Sequence, residues 1–203
     1  MKPDRTAFRI AVLAGLAVLA ALAAPARAAE EDLFAFIPSG GKTLLIQVIH
    51  GNPPAAEMRA ILTGTRTRDE WQAYLERRQA ALPGLKALTD KQRLTLADYL
   101  SFNMPLAADK VPADPGKADW AKLLPPDGRD LAMDQCQFCH IITVVVTQTR
   151  PQAAWMATMH TASHAKIAMT EKEREALASY LVLNAGIPIE QVPESLRAAG
   201  ASY

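Results

Sequence analysis

The residues best suited to chemistry are Cys136-Gln137-Phe138-Cys139-His140. Two thiols three residues apart, with an imidazole directly after the second, form the pattern for covalent c-type haem attachment. The spacing has a chemical reason. Two thiols on one helical turn can add across the two haem vinyl groups as thioethers, and His140 can then bring a ring nitrogen to the iron as proximal ligand. The chain has 2 cysteines in all, so neither has another partner within it. A thioredoxin-like dithiol wants a strand-to-helix context, whereas Asp127 to Gln135 reads as helix. Half a zinc site wants a second close-set pair of ligands, and none follows at that spacing. The cofactor expected is one covalent haem c, with its iron, per chain.

The elements that must position this motif occur in two copies. Asp32-Leu-Phe-Ala-Phe-Ile-Pro38 is followed by Gly41, and Asp119-Trp-Ala-Lys-Leu-Leu-Pro125 is followed at the same distance by Gly128. Arg66 precedes Trp71 by the interval that separates Arg150 from Trp155. Leu88-Thr89-Asp90-Lys91-Gln92 leads to Tyr99-Leu100 and Asn103, as Met169-Thr170-Glu171-Lys172-Glu173 leads to Tyr180-Leu181 and Asn184. Thr89 with Gln92, and Thr170 with Glu173, are capping boxes that open helices, stapled by Leu88 and Met169. Apolar stripes follow in both, and Asn103 and Asn184-Ala185-Gly186 end them.

The region from about Trp120 to Pro188 resembles a class I cytochrome c domain. A glycine-bearing first helix runs into CxxCH, and a last helix carries Tyr180-Leu181. In that family the first and last helices cross where a glycine admits an aromatic, which implies Gly128 against Tyr180 and, in the first copy, Gly41 against Tyr99. The fold class expected is all-α, with two cytochrome c-like helical domains in tandem. Residues 30–106 are the haem-free copy, 107–118 the linker, 119–189 the haem-bearing copy and 190–203 a peripheral tail. The first copy has no cysteine where the motif would fall, within Val48 to Pro54. His50 there reads as a surface turn residue.

The resemblance implies a methionine as second axial ligand. The candidates downstream are Met156, Met159, His160, His164 and Met169. Met169 is the counterpart of the staple Leu88, so it reads as core. Trp155 to His160 reads as helix, with Trp155 and Met159 on one face. This is similar to a subgroup of small cytochromes in which an Arg…Trp…Met helix supplies the distal sulfur. Counting forward from Trp155 puts that sulfur at Ala162, whereas counting back from Met169-Thr170 puts it at Met159. Met159 is the expected ligand, with His164 and His160 as alternatives. Arg150 is a candidate partner for a haem propionate. The β-branched run Ile141 to Thr147 could be extended and would wall the haem from water.

Lys2, Arg5 and Arg9, then the apolar run Ile10 to Ala24, then Ala26-Arg27-Ala28 read as a cleaved signal peptide over residues 1–28. That implies a periplasmic mature protein with no stable membrane span after cleavage. Such a cleavage removes Lys2, Arg5, Arg9, Arg27 and Asp4, so 22 basic against 21 acidic groups becomes 18 against 20. A near-neutral chain gives no case for nucleic acid. The function expected is single-electron transfer, as a carrier or as the cytochrome subunit of an oxidoreductase complex rather than as an enzyme. Its partner would be an exported dehydrogenase or oxidase. The alternative is a ligand- or gas-binding haem protein with an open sixth position, and a haem peroxidase is a weaker third reading.

Overall fold

Helices start where the chain supplies its own caps. Thr89 and Thr170 each accept from the backbone N–H three residues on, while Gln92 and Glu173 reach back to the cap N–H. Both boxes are as the sequence predicts, and a third, Thr67 with Glu70, stands beside them. The computed structural model describes residues 32–197, so the signal peptide expected over 1–28 lies outside the described residues. Among the described residues all regular structure is helical. The helices are α1 Gly41–His50, α2 Ala55–Leu62, α3 Arg68–Arg78, α4 Asp90–Asn103, α5 Trp120–Leu123, α6 Gly128–Leu131, α7 Thr143–Val146, α8 Gln152–Met159 and α9 Glu171–Asn184, joined by short 3₁₀ turns.

Two glycine–tyrosine crossings hold the frame. A Cβ placed on Gly41 would lie 2.1 Å from Tyr99 Cβ, and one on Gly128 would lie 2.1 Å from Tyr180 Cβ. Normal carbon contacts are about 3.5–4.0 Å, so only glycine lets α1 meet α4, and α6 meet α9, this closely. The two crossings then trade hydrogen bonds. Tyr99 Oη donates to Pro125 O at 3.0 Å, and Tyr180 Oη donates to Pro38 O at 2.6 Å. Each tyrosine therefore holds the proline that leads into the other copy's first helix.

The same exchange governs packing. One apolar core gathers Leu44, Leu45, Trp71, Leu75, Leu96 and Leu100 together with Trp120 and Leu124. The other gathers Leu131, Ile142, Val146, Trp155, Leu177 and Leu181 together with Ile37, with Phe34 and Phe36 against it. The leading segment of each copy thus packs on the core of the other. The described residues from Phe34 on belong to one compact unit. Two cores are present, but the boundary drawn at 107–118 does not part them into tandem bodies.

Between the copies α4 meets α9 through polar pairs. Ser179 Oγ donates to Asp98 Oδ1 at 2.7 Å across 81 positions, the interval that also separates Tyr99 from Tyr180. Asn184 Nδ2 donates to Thr95 Oγ1 at 3.1 Å. Asp98 and Ser179 are equivalent positions facing one another, which marks a pseudo-twofold axis. Asp127 breaks that symmetry. Its carboxylate accepts from the N–H groups of Arg129 and Asp130 at the start of α6, and from Lys42 N–H at the start of α1. One carboxylate so caps two helix starts, where negative charge is favoured. Its counterpart, Gly40, has no room for a side chain, since a Cβ there would lie 2.1 Å from the Asp127 oxygens.

Two local expectations need correction. The run Ile141 to Thr147 is not extended: Thr143–Val146 is a helical turn. Ile142, Val145 and Val146 are buried at i, i+3 and i+4, the spacing of one helix face, and that packing overrides β propensity. Nor is the tail peripheral over its described part. Val192 is buried, and the fully enclosed Thr143 donates to Leu196 O at 2.7 Å.

Candidate functional site

Gly128 sets the entry to the site, because α6 continues from it into a π-helical turn over Ala132–Cys136. Gln137 N–H there reaches Ala132 O at 3.3 Å, five residues back. Such widened turns recur at functional sites. The motif then closes on itself, with Cys139 N–H and His140 N–H both donating to Cys136 O, at 3.2 and 3.0 Å. Cys136 is half-buried and Cys139 exposed, and both are free thiols. Burial pushes the Cys136 thiol up to about 11, with a smaller contribution from Cys139. A redox-active dithiol needs the opposite, a thiol whose pKa is lowered.

Cys136, Cys139 and His140 open onto a cavity of about 440 Å³. Cofactor and ligand pockets occupy roughly 300–1,000 Å³. Its walls are mostly apolar: Val144 and Val145 of α7, Trp155 and Met159 of α8, Met169, and Leu177 and Leu181 of α9. α7 walls the cavity as expected of its residues, though as a helix. Polar groups enter at a few points, namely Gln135, Gln148, Arg150, Thr158, Ser163 and His164. Among the described residues no three His, Cys, Asp or Glu side chains converge to hold one ion.

Arg150 lies at the cavity wall. Its Nη1 donates to Thr158 Oγ1 at 3.0 Å, and its guanidinium carbon sits 5.2 Å from the centre of the Trp155 ring. The first copy keeps the same device, with Arg66 4.4 Å from the centre of the Trp71 ring. Trp71, however, lies in a filled core at 0% exposure, whereas Trp155 faces the cavity. The buried Trp155 indole N–H has no partner among the described residues. The Trp71 indole N–H of the filled core is likewise without one, so this feature belongs to both copies.

Of the residues expected from the sequence as a second axial ligand, Met159, His164 and Met169 line the cavity, and Met156 and His160 do not. Met159 is buried and lines the cavity. His164 is half-buried and lines it too, its ring centre 6.0 Å from that of His140 and the ring planes 22° apart. His160 is exposed and turned away, bonded to Glu171 at 3.0 Å. Met156 packs against the core, and Met169 does so while also reaching the cavity. His50 is exposed, as its sequence context implies, but it is the last helical residue of α1 and not a turn residue.

Sequence reasoning did not single out Arg174. It is 5% exposed, and its guanidinium donates to Met159 O at 2.8 Å and to Ile167 O at 2.9 Å. It ties both ends of the loop carrying His164 to α9. An arginine inside an otherwise apolar helix stripe was the available signal. No family model, no curated protein and no solved structure matches the chain.

Proposed function

We propose that the chain is a c-type cytochrome that passes single electrons through one covalently held haem. The observation that carries this reading is the cavity itself: both thiols and the His140 imidazole of a CxxCH motif open onto one apolar space of about 440 Å³. Cys136 and Cys139 would each form a carbon–sulfur bond to a vinyl group, the thiol proton passing to the other vinyl carbon, so no oxidant is needed. His140 would supply the proximal nitrogen. A haem so held supplies a reversible one-electron couple at iron.

The rest of the site suits that task. The α7 and α9 side chains exclude water, which favours the less charged, reduced state. Arg150, at the cavity wall, offers a donor for an acidic edge of the group. Beside Cys139, Phe138 and Ile141 are 89% and 49% exposed. Large apolar side chains left in water next to a cofactor edge fit the docking of a redox partner. That partner would be an exported dehydrogenase or oxidase, and the setting periplasmic, as the signal-peptide pattern over residues 1–28 implies.

The first copy lacks both thiols, and its core is filled by residues such as Trp71, Leu82 and Leu85 at 0% exposure. It serves as a frame that caps and packs the haem-bearing half. The pyridine haemochrome assay tests the whole reading. One haem per chain is expected, and none or two would overturn it.

A further inference from the structure

We propose that His164 is the second axial ligand, so that the iron is held between two imidazoles. This rests on the haem reading above and specifies its electronic character.

The distance fits first. The ring centres of His140 and His164 are 6.0 Å apart and their planes 22° apart. One metal bound to both rings needs a separation of roughly 6 Å, made of two bonds of about 2 Å and the radius of each ring. The rings are stacked here, so binding requires the imidazoles to turn until a nitrogen of each lies on the line between them. Both rings also line the same cavity.

The tautomer fits as well. His164 Nδ1 lies 2.8 Å from Thr161 Oγ1, and the Thr161 hydroxyl proton is already donated to Thr158 O at 2.8 Å. With that hydroxyl proton on Thr158 O, the short contact is satisfied by the tautomer that carries its proton on Nδ1. Ser163 Oγ completes the cluster at 3.2 Å from both atoms. With Nδ1 protonated, Nε2 carries the free lone pair that a metal needs. Such support of the outer nitrogen is how ligating histidines are oriented and made more basic.

The loop is held for the purpose. His164 N–H and Ala165 N–H both bond Thr161 O, at 2.9 and 2.8 Å, and Ile167 N–H bonds His164 O at 3.0 Å. Arg174 anchors the loop at Met159 O and Ile167 O. Met159 instead packs into the core, in one cluster with Trp155, Leu177 and Leu181, as a wall of the cavity. A second imidazole lowers the potential relative to a methionine sulfur. The protein would be a low-potential carrier with no vacant position for gases.

The test uses the full chain matured in a host that attaches c-type haem, with haem content checked for every variant. Wild type is expected to show no near-red sulfur-to-iron band in the ferric state and to resist carbon monoxide in the ferrous state. His164→Ala should keep its haem and take up carbon monoxide rapidly. His164→Met should gain the sulfur band and a higher potential, and Met159→Leu should leave the wild-type spectrum intact. A sulfur band in wild type that Met159→Leu abolishes would overturn the proposal. So would a His164→Ala spectrum and carbon monoxide response equal to wild type. A wild-type chain without haem would fail earlier, at the haem assay, and would remove the cytochrome reading together with this one.

Discussion

Replacing Gly128 with alanine tests the packing that delivers Cys136 and Cys139 to the cavity. The new Cβ would lie 2.1 Å from Tyr180 Cβ, 2.5 Å from Cγ and 3.1 Å from Cδ1. Carbon atoms in contact sit about 3.5–4.0 Å apart, so α6 and α9 would have to part by roughly 1.5 Å. The obstacle is the root of an aromatic side chain, which no rotamer change moves. Overpacking of this kind costs about 1–3 kcal/mol, and a site that must displace a whole helix belongs at the upper end. Alanine returns at most about 1 kcal/mol of helix propensity. The net loss expected is about 2 kcal/mol, a fall in Tm of roughly 4–8 °C for a domain of this size. Urea unfolding followed by far-ultraviolet circular dichroism measures it. Gly41→Ala, with its Cβ 2.1 Å from Tyr99 Cβ, should lose a similar amount. Tyr180→Phe serves as the control. It removes only the bond to Pro38 O and should cost about 1 kcal/mol. A Gly128→Ala midpoint at or above wild type would refute the close crossing.

The remaining expectations concern buried polar groups. Arg174→Met leaves Met159 O and Ile167 O without their donor, and about 2–3 kcal/mol should be lost. Hydrogen exchange should speed up over residues 160–169 but not in α4, and uniform exchange would contradict the anchoring role. Burial pushes the Asp98 carboxyl above its ordinary value, against the pull of Ser179 and Arg68. The folded state therefore holds that proton more tightly. Its stabilising effect is complete below the usual carboxylate range and is lost as pH rises through the folded pKa. Asp98→Asn mimics the neutral form, so its urea midpoint should gain on wild type between about pH 4 and pH 7. A difference that does not change with pH would count against it. Thr161→Val removes the acceptor for His164 Nδ1. Weakened ligation of this type costs on the order of 10–100-fold, read as faster carbon monoxide uptake at unchanged haem content. Uptake equal to wild type would show that Thr161 does not support the imidazole.

Much of the frame was legible in the sequence because the signals are local. The Thr89 and Thr170 capping boxes, the ends at Asn103 and Asn184, and the helix carrying Trp155 and Met159 each depend on neighbours a turn away. The glycine–tyrosine crossings came from the resemblance, and the close approach is present in both copies. What stayed hidden is non-local. Nothing in Asp32 to Pro38 or Asp119 to Pro125 says which of two cores a short apolar segment will join. The exchange depends on Tyr99 and Tyr180 reaching prolines 26 and 142 positions away. Asp127 caps α6, and its carboxylate also serves Lys42 N–H across 85 positions, which no local spacing shows. The helical turn at Thr143–Val146 defeats its β-branched composition because three buried side chains share one helix face. At the site, His164 stood only as an alternative ligand. Its partner Thr161 matters through a chain of hydroxyl bonds that spacing alone does not encode.

The most direct measurement is the intact mass of the chain, taken under denaturing conditions after expression with the c-type maturation machinery. The cytochrome reading predicts the polypeptide plus one haem, unmoved by acid and organic solvent, and the bare polypeptide when Cys136 and Cys139 are both alanine. A bare polypeptide mass for the wild-type chain would contradict it.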